Sequence, residues 1–377
     1  FGLCTFSCHR HWEAVRTKQP GTQFTESVSF LDYVHQLGAA GVQTRVQNDE
    51  VARQMRERCD ALGAYYEGDV RLPKKAEDVP AFESDVNRAK AAGASVARAV
   101  LMGGRRYEVF KSLTEFRDYQ AGCRRTLQLV EPVLRKHGLK LAIENHKDQQ
   151  VNELLPMLRK LGSEWVGVCV DTGNNIALLE DPHAVVEALA PVAFSVHLKD
   201  MAVQPAPDGF LLSEVPLGTG FLDLPKIIKT LHAANPSIVF NIEMGTRDPL
   251  RVPCLTQTYW ATFPQRPASE LAKALAGVHD HPPKADPPNI TGKPMAQQIA
   301  DEEANNRHCI EWRKSAQAEW EAHDSLSPHR QSRLRRRQCH RLLRVGLRRA
   351  LVSLSGRRTD DVCGHRGGVP RPQRAGV

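Results

Sequence analysis

Four short apolar runs in the middle of the chain each end in a side chain that could ligate a metal. They are Leu141-Ala142-Ile143-Glu144, Val166-Gly167-Val168-Cys169-Val170-Asp171, Ala193-Phe194-Ser195-Val196-His197 and Ile238-Val239-Phe240-Asn241-Ile242-Glu243. Three carboxylates and one imidazole form a hard, mostly oxygen donor set of the kind that holds a divalent cation. A single strand-terminal Glu is usually a solvated or ion-paired residue, and a lone His is usually a satisfied structural one. Four candidates on consecutive runs are much harder to explain in that way.

The runs read as buried parallel strands, since a strand covered on both faces needs continuous apolar residues. Amphipathic stretches of helix length separate the first three, which is βαβ alternation. Upstream, the same order predicts strands over 1–6, 41–46, 64–70 and 95–101, with helices over 29–37, 51–61, 81–92 and 113–136. Gly38, Gly93 and Gly138 stand where three of these helices should stop. The total is eight strands in β-then-α order, which favours a closed (β/α)8 barrel over an open sheet. In a closed barrel every strand's C-terminal end opens on one mouth, so Glu144, Asp171, His197 and Glu243 would converge there. No Gly-x-Gly-x-x-Gly or Gly-x-x-x-x-Gly-Lys motif is present, and nucleotide binding is set aside.

Past Glu243 the pattern loosens. Short helices are expected over 255–260 and 268–278, a proline-rich excursion over 282–294, and a further helix over 296–316. The expected organisation is a barrel over 1–252, a helical C-terminal extension over 253–316, and an Arg-rich tail over 317–377. From Arg330 onward there are fourteen Arg, no Lys and two acids, so the net charge of +8 belongs to the tail and the remainder is mildly acidic. Such a tail reads as disordered, or as GC-rich sequence translated out of frame, and it is assigned no function. A nucleic-acid role would have to rest on it alone. No apolar run approaches the roughly 20 residues of a membrane span. Of the nine cysteines none forms a Cys-x-x-Cys pair, which suggests a reducing, cytoplasmic setting. The chain starts at Phe1 inside the first expected strand, so a missing upstream start leaves an export signal open.

The motifs Ile143-Glu144-Asn145-His146, Val170-Asp171-Thr172-Gly173-Asn174, Val196-His197-Leu198-Lys199-Asp200 and Asn241-Ile242-Glu243 resemble those of the xylose isomerase-like TIM barrels, the sugar phosphate isomerase/epimerase superfamily. The resemblance covers about residues 1–316, including Gly218-Thr219-Gly220-Phe221-Leu222-Asp223 and the region around Asn305-Asn306-Arg307-His308-Cys309. It implies one divalent ion (Mn2+, Mg2+, Co2+ or Zn2+) held by Glu144, Asp171, His197 and Glu243. The ion would polarise a keto-sugar carbonyl and acidify the adjacent C–H, so that an enediolate forms at neutral pH. Glu144 and Glu243 would be the facing pair that removes and returns the proton.

Around them, His9, Arg45, Glu67, Arg98, His146, Lys147 and Lys199 are candidates to grip hydroxyl, carboxylate or phosphate groups. Arg98 has an equal alternative, a buried ion pair with Glu67, and Lys199 could pair instead with Asp200. The implied activity is sugar isomerisation or epimerisation. Decarboxylation or lysis of a 3-oxo sugar or sugar acid is an alternative, as in the 3-oxo-isoapionate decarboxylase-like members, and a non-catalytic sugar-binding barrel is a third reading. The partner is then a small sugar or sugar acid, without nucleic acid or membrane, and a homodimer is compatible with the resemblance. The chain departs from the 3-epimerase pattern by placing Asn174 where those enzymes often carry a His. It also lacks the additional strand-end histidines of the three-zinc endonuclease IV branch.

Overall fold

The computed structural model describes residues 1–325, with side chains to Ser315, and residues 1–316 form one compact unit. The Arg-rich stretch from Arg330 lies outside the described residues. Among the latter are eleven strands: β1 (Gly2–Cys4), β2 (Gly41–Thr44), β3 (Tyr65–Asp69), β4 (Val96–Ala99), β5 (Lys140–Glu144), β6 (Val166–Asp171), β7 (Ala193–Leu198), β8 (Asp200–Ala206), β9 (Gly209–Val215), β10 (Phe240–Ile242) and β11 (Leu250–Val252). Eight of them, all parallel, close a barrel in the order β1-β10-β7-β6-β5-β4-β3-β2. This is the (β/α)8 architecture expected from the strand count.

Helices follow the staves and cover them. Those at Ser27–Leu37, Asp49–Leu62, Val79–Ala91, Leu113–His137, Val151–Leu161, Pro182–Leu189 and Leu224–Ala234 each bury an apolar face on the barrel. Local chemistry sets their ends. The Glu26 carboxylate accepts from the amides of Val28 and Ser29 to start one helix, and Gly38 ends it at φ +97, a conformation that disfavours a side chain. The helix at Met295–Ser325 is tied to the start of the chain: buried Glu302 accepts from the amides of Arg10 and His11 and from His11 Nδ1, and Asn306 donates to the Ser7 carbonyl.

Three features differ from the sequence reading. The first stave is only Gly2–Cys4, because the polar run that follows curls into a 3-10 turn over Thr5–Cys8. The segment 255–260 is likewise 3-10 helix, over Gln257–Thr262. The third feature was not read at all. β8 and β9 form an antiparallel hairpin turning at Pro207-Asp208, and β11 adds a third strand to it.

The hairpin is moored by one carboxylate. Asp200 Oδ1 accepts from the amides of Met201 (2.9 Å) and Leu222 (3.2 Å), and Oδ2 from those of Gly218 (2.9 Å) and Gly220 (2.8 Å). A Cβ at Gly220 would come within 2.1 Å of Asp200 Oδ1, so the glycine is what lets the backbone reach the carboxylate. The expectation that Lys199 pairs with Asp200 is thereby corrected: the Asp200 oxygens are taken by backbone amides.

Candidate metal centre

Glu144, Asp171 and His197 stand at or beside the C-terminal ends of β5, β6 and β7, and Glu243 immediately follows β10. These are four adjacent staves. One ligating atom from each of the four side chains falls within a common 4.8 Å, and all four residues are buried.

His197 is oriented from below. Its Nε2 lies 2.6 Å from Gln43 Oε1, an acceptor, so Nε2 carries the proton and Nδ1 is turned toward the carboxylates. Gln43 is itself fixed, since its Nε2 donates to Glu67 Oε2 (3.0 Å) and lies 3.3 Å from Ser195 Oγ. Glu67 Oε2 also accepts from Ser195 Oγ (2.6 Å) and Asn241 Nδ2 (2.7 Å). This closed polar layer crosses the barrel beneath the four ligand candidates.

The donor set fits a cation. Asp171 Oδ2, His197 Nδ1 and Glu243 Oε2 are buried and make no hydrogen bond. His197 Nδ1 is in close contact with Glu243 Oε2 and lies 3.3 Å from Glu144 Oε2. Lys199 Nζ is 3.0 Å from Asp171 Oδ2 and 3.3 Å from Glu243 Oε1, in ion-pair contact. Burial, opposed by Lys199 and reinforced by Glu243 and Glu144, pushes the Asp171 carboxyl upward. Three buried carboxylates gathered with one imidazole at a single point are costly unless a further positive charge joins them.

Above the cluster the mouth opens into a cavity of about 660 Å3. His9, Arg98, His146, Lys147 and Lys199, five of the seven candidates for gripping substrate groups, line it. Arg98 donates from Nε to Glu144 Oε2 (2.7 Å), with Nη2 in contact with the same oxygen, and Nη1 reaches Asp69 (3.4 Å). Its buried partner is therefore Glu144, not Glu67. Glu67 does not reach the mouth but stands in the polar layer, and Arg45 is held away by a two-oxygen contact with Asp85 (2.7 and 2.9 Å). His146 is pulled down to about 3 by burial and then by Lys147, leaving a neutral imidazole whose Nδ1 has no hydrogen-bond partner. Lys147 is pulled down to about 8 by burial and then by Lys199 and Arg247.

The sequence reading did not place Glu214 or Arg247 in the site, and it noted Asn174 only as a departure from the 3-epimerase pattern. Glu214 of β9 accepts from Lys199 (3.2 Å), Arg247 (2.6 Å) and the Gly245 amide (2.7 Å). Burial works against its charge, but Lys199 and Arg247 outweigh it and hold the carboxyl at about 2. Arg247, in the loop after Glu243, lines the cavity beside Phe6. Asn174 takes the place noted for its missing His: it donates to Glu144 Oε1 (2.9 Å) and accepts from Lys199 (3.3 Å) and Lys147. The turn at Pro207-Asp208-Gly209 between two apolar runs was the available signal for Glu214.

Comparison with known proteins agrees with this picture. A family model described as "Xylose isomerase-like TIM barrel" matches residues 31–274. The 3-oxo-isoapionate decarboxylase of Pectobacterium atrosepticum is 33% identical over 108 residues, which are 28% of this chain and 39% of that protein. The uncharacterised protein YihM of Escherichia coli is 26% identical over 141 residues, 37% of this chain and 40% of that one. The chain thus matches only about two fifths of the length of either curated relative. Among solved structures, an L-ribulose 3-epimerase superposes with a TM-score of 0.53 at 14% identity, over 87% of this chain and 98% of that one, a likeness of fold alone.

Proposed function

This chain belongs to the xylose isomerase-like TIM barrel family, and from that premise we propose that it is a divalent-metal-dependent isomerase or epimerase of a keto sugar or related polyol. The observation that carries the reading is the convergence of Glu144, Asp171, His197 and Glu243, all buried, at the floor of a cavity large enough for a sugar. These four residues would hold one cation, with Mn2+, Mg2+, Co2+ and Zn2+ all compatible with the donor types. When bound, the ion supplies Lewis acidity toward a carbonyl oxygen.

The chain's own residues supply the rest. Glu144 and Glu243 flank His197 and are the pair that takes a proton from a carbon next to the carbonyl and returns it to a neighbouring position or the opposite face. Arg98 and Asn174 hold the two Glu144 oxygens, and Lys199 holds Glu243, so each carboxylate is fixed before substrate arrives. His9, His146 and Lys147 stand along the wall where hydroxyl groups would lie. All four ligand candidates are buried, so a sugar filling the cavity would cut them off from bulk water.

A second reading, decarboxylation of a 3-oxo sugar acid, is favoured by the cationic wall. Arg98, Lys147, Lys199 and Arg247 face one cavity, a suitable cradle for a carboxylate, and the partial relative is named as a 3-oxo-isoapionate decarboxylase.

One experiment addresses both. Metal content of the wild type is compared with that of a Glu144→Gln, Glu243→Gln double variant. The metal-loaded protein is then incubated with keto sugars and 3-oxo sugar acids in deuterated water. Deuterium at a carbon-bound position of an isomerised product supports the first reading, and CO2 release supports the second. A wild type that takes up no divalent ion after reconstitution defeats both.

A further inference from the structure

In the barrel order, the stave beyond β10 is β1. Leu3 of β1 is level with Ile242 of β10, so Cys4, the last residue of β1, is level with Glu243. The Cys4 thiol is 3% exposed and lines the mouth cavity. Its sulfur, a His197 ring nitrogen and a Glu243 carboxylate oxygen all lie within 4.8 Å of one another. His197 Nδ1 and Glu243 Oε2 are in close contact with each other, on side chains exposed by only 2% and 7%. The sulfur therefore stands beside two members of the four-residue cluster, on the fifth consecutive stave after β5, β6, β7 and β10.

We propose that Cys4 is a fifth ligand of the mouth centre, and that it biases the site toward a thiophilic divalent cation such as Zn2+ or Co2+ over Mg2+. The inference rests on the reading of the four-residue cluster as a metal centre and sharpens it. Thiolate sulfur binds borderline-soft cations strongly and Mg2+ poorly, whereas carboxylates do not discriminate in that way. On coordination the S–H bond breaks, the proton leaves to solvent, the electron pair forms the S–metal bond, and nothing is oxidised or reduced.

The test is Co2+ titration of the full metal-free chain, followed by absorption spectroscopy, on wild type, Cys4→Ser and Cys169→Ala. Cys169 is the other thiol close to His197 and serves as the control. Visible d–d bands report Co2+ in the site, and an intense near-ultraviolet thiolate-to-cobalt band reports a sulfur ligand. The expected result is both signals in wild type and Cys169→Ala, and d–d bands alone in Cys4→Ser. Zn2+ affinity of Cys4→Ser should fall by about tenfold or more with Mg2+ affinity within about twofold of wild type.

A wild type with d–d bands and no charge-transfer band overturns the Cys4 assignment and leaves the four-residue centre standing. Survival of the band in Cys4→Ser, or its loss in Cys169→Ala, also overturns it. No cobalt spectrum in any form overturns the metal-centre reading as well. Should Cys4→Ser fail to fold, the wild-type and Cys169→Ala spectra decide.

Discussion

Asp200 and the mouth carboxylates are equally buried, yet they are built in opposite ways. Asp200 has four backbone amides on its two oxygens, at 2.8–3.2 Å, and its work is finished inside the chain. Glu144, Asp171 and Glu243 are gathered with His197 although like charges repel, and Asp171 Oδ2 and Glu243 Oε2 are met by the side chains of Lys199 and His197 and by no backbone amide. A buried charge with its donors in place is a mooring. One crowded against others like it and balanced by neighbouring side chains is a seat for something else.

The contrast is broken most directly at Glu243. Glu243→Gln removes a ligand candidate that is also the proposed proton carrier, so turnover should fall by about a thousandfold or more and bound metal should be lost. Metal-free thermal stability should fall only modestly: crowding against Glu144 is relieved, but the contacts with Lys199 and His197 that hold the Glu243 carboxyl well below its usual range are weakened. A large drop in melting temperature without loss of metal would mean that Glu243 is a mooring after all. Asp200→Ala should behave in the reverse sense. It strands four amides, one hydrogen bond to a charged group being worth roughly 1.5–3 kcal/mol, so a loss of about 3 kcal/mol or more is expected by denaturant unfolding. Metal stoichiometry should be unchanged.

How much of this was legible in the sequence follows from the same contrast. The four ligand candidates were readable because each closes an apolar run, and a closed barrel brings strand ends together whatever their separation in sequence. Depth along a strand was not readable. Glu67 and Asp69 lie on one face of β3, but two residues of strand move a side chain by about 6–7 Å. Register sets Asp69 beside Arg98 and Glu67 beside Gln43, so the first joins the Arg98 ion-pair group and the second the layer beneath. Glu214 was missed for a different reason. Its strand belongs to a hairpin inserted between two staves, where the βαβ alternation offers no place for it, and its reach to Lys199 depends on the Asp200 mooring.

Glu180 lies between the two classes. It accepts from the Val151 amide (3.2 and 3.3 Å) and from Asn175 Nδ2, fewer donors than Asp200 has, and burial pushes its carboxyl up to about 7. The folded state therefore keeps this proton over a pH range in which the unfolded chain, near 4.5, has lost it. Stability from this group is present at low pH and falls as pH rises from about 4.5 to about 7, by up to roughly 3 kcal/mol at 1.36 kcal/mol per unit. Glu180→Gln should flatten that part of the stability–pH curve. An unchanged curve would place Glu180 with the satisfied group.

The smallest expected effect tests whether the layer beneath the mouth belongs to the mooring or to the seat. Gln43 Oε1 holds the Nε2 proton of His197, while Gln43 Nε2 is engaged by Glu67 and Ser195. Gln43→Leu keeps an apolar volume between β1 and β3 but frees the imidazole to rotate or to exchange tautomers. Partners of this kind are worth about 10- to 100-fold in metal affinity. Weaker cation binding by that factor, with 15N shifts of His197 in the metal-free protein reporting a mixture of tautomers, would make the layer an extension of the metal centre. A loss of stability with metal affinity and His197 shifts intact would place it with Asp200, as structure that closes on itself. The two outcomes separate because Gln43 faces His197 on one side and Glu67 on the other, and only the first contact touches a ligand candidate.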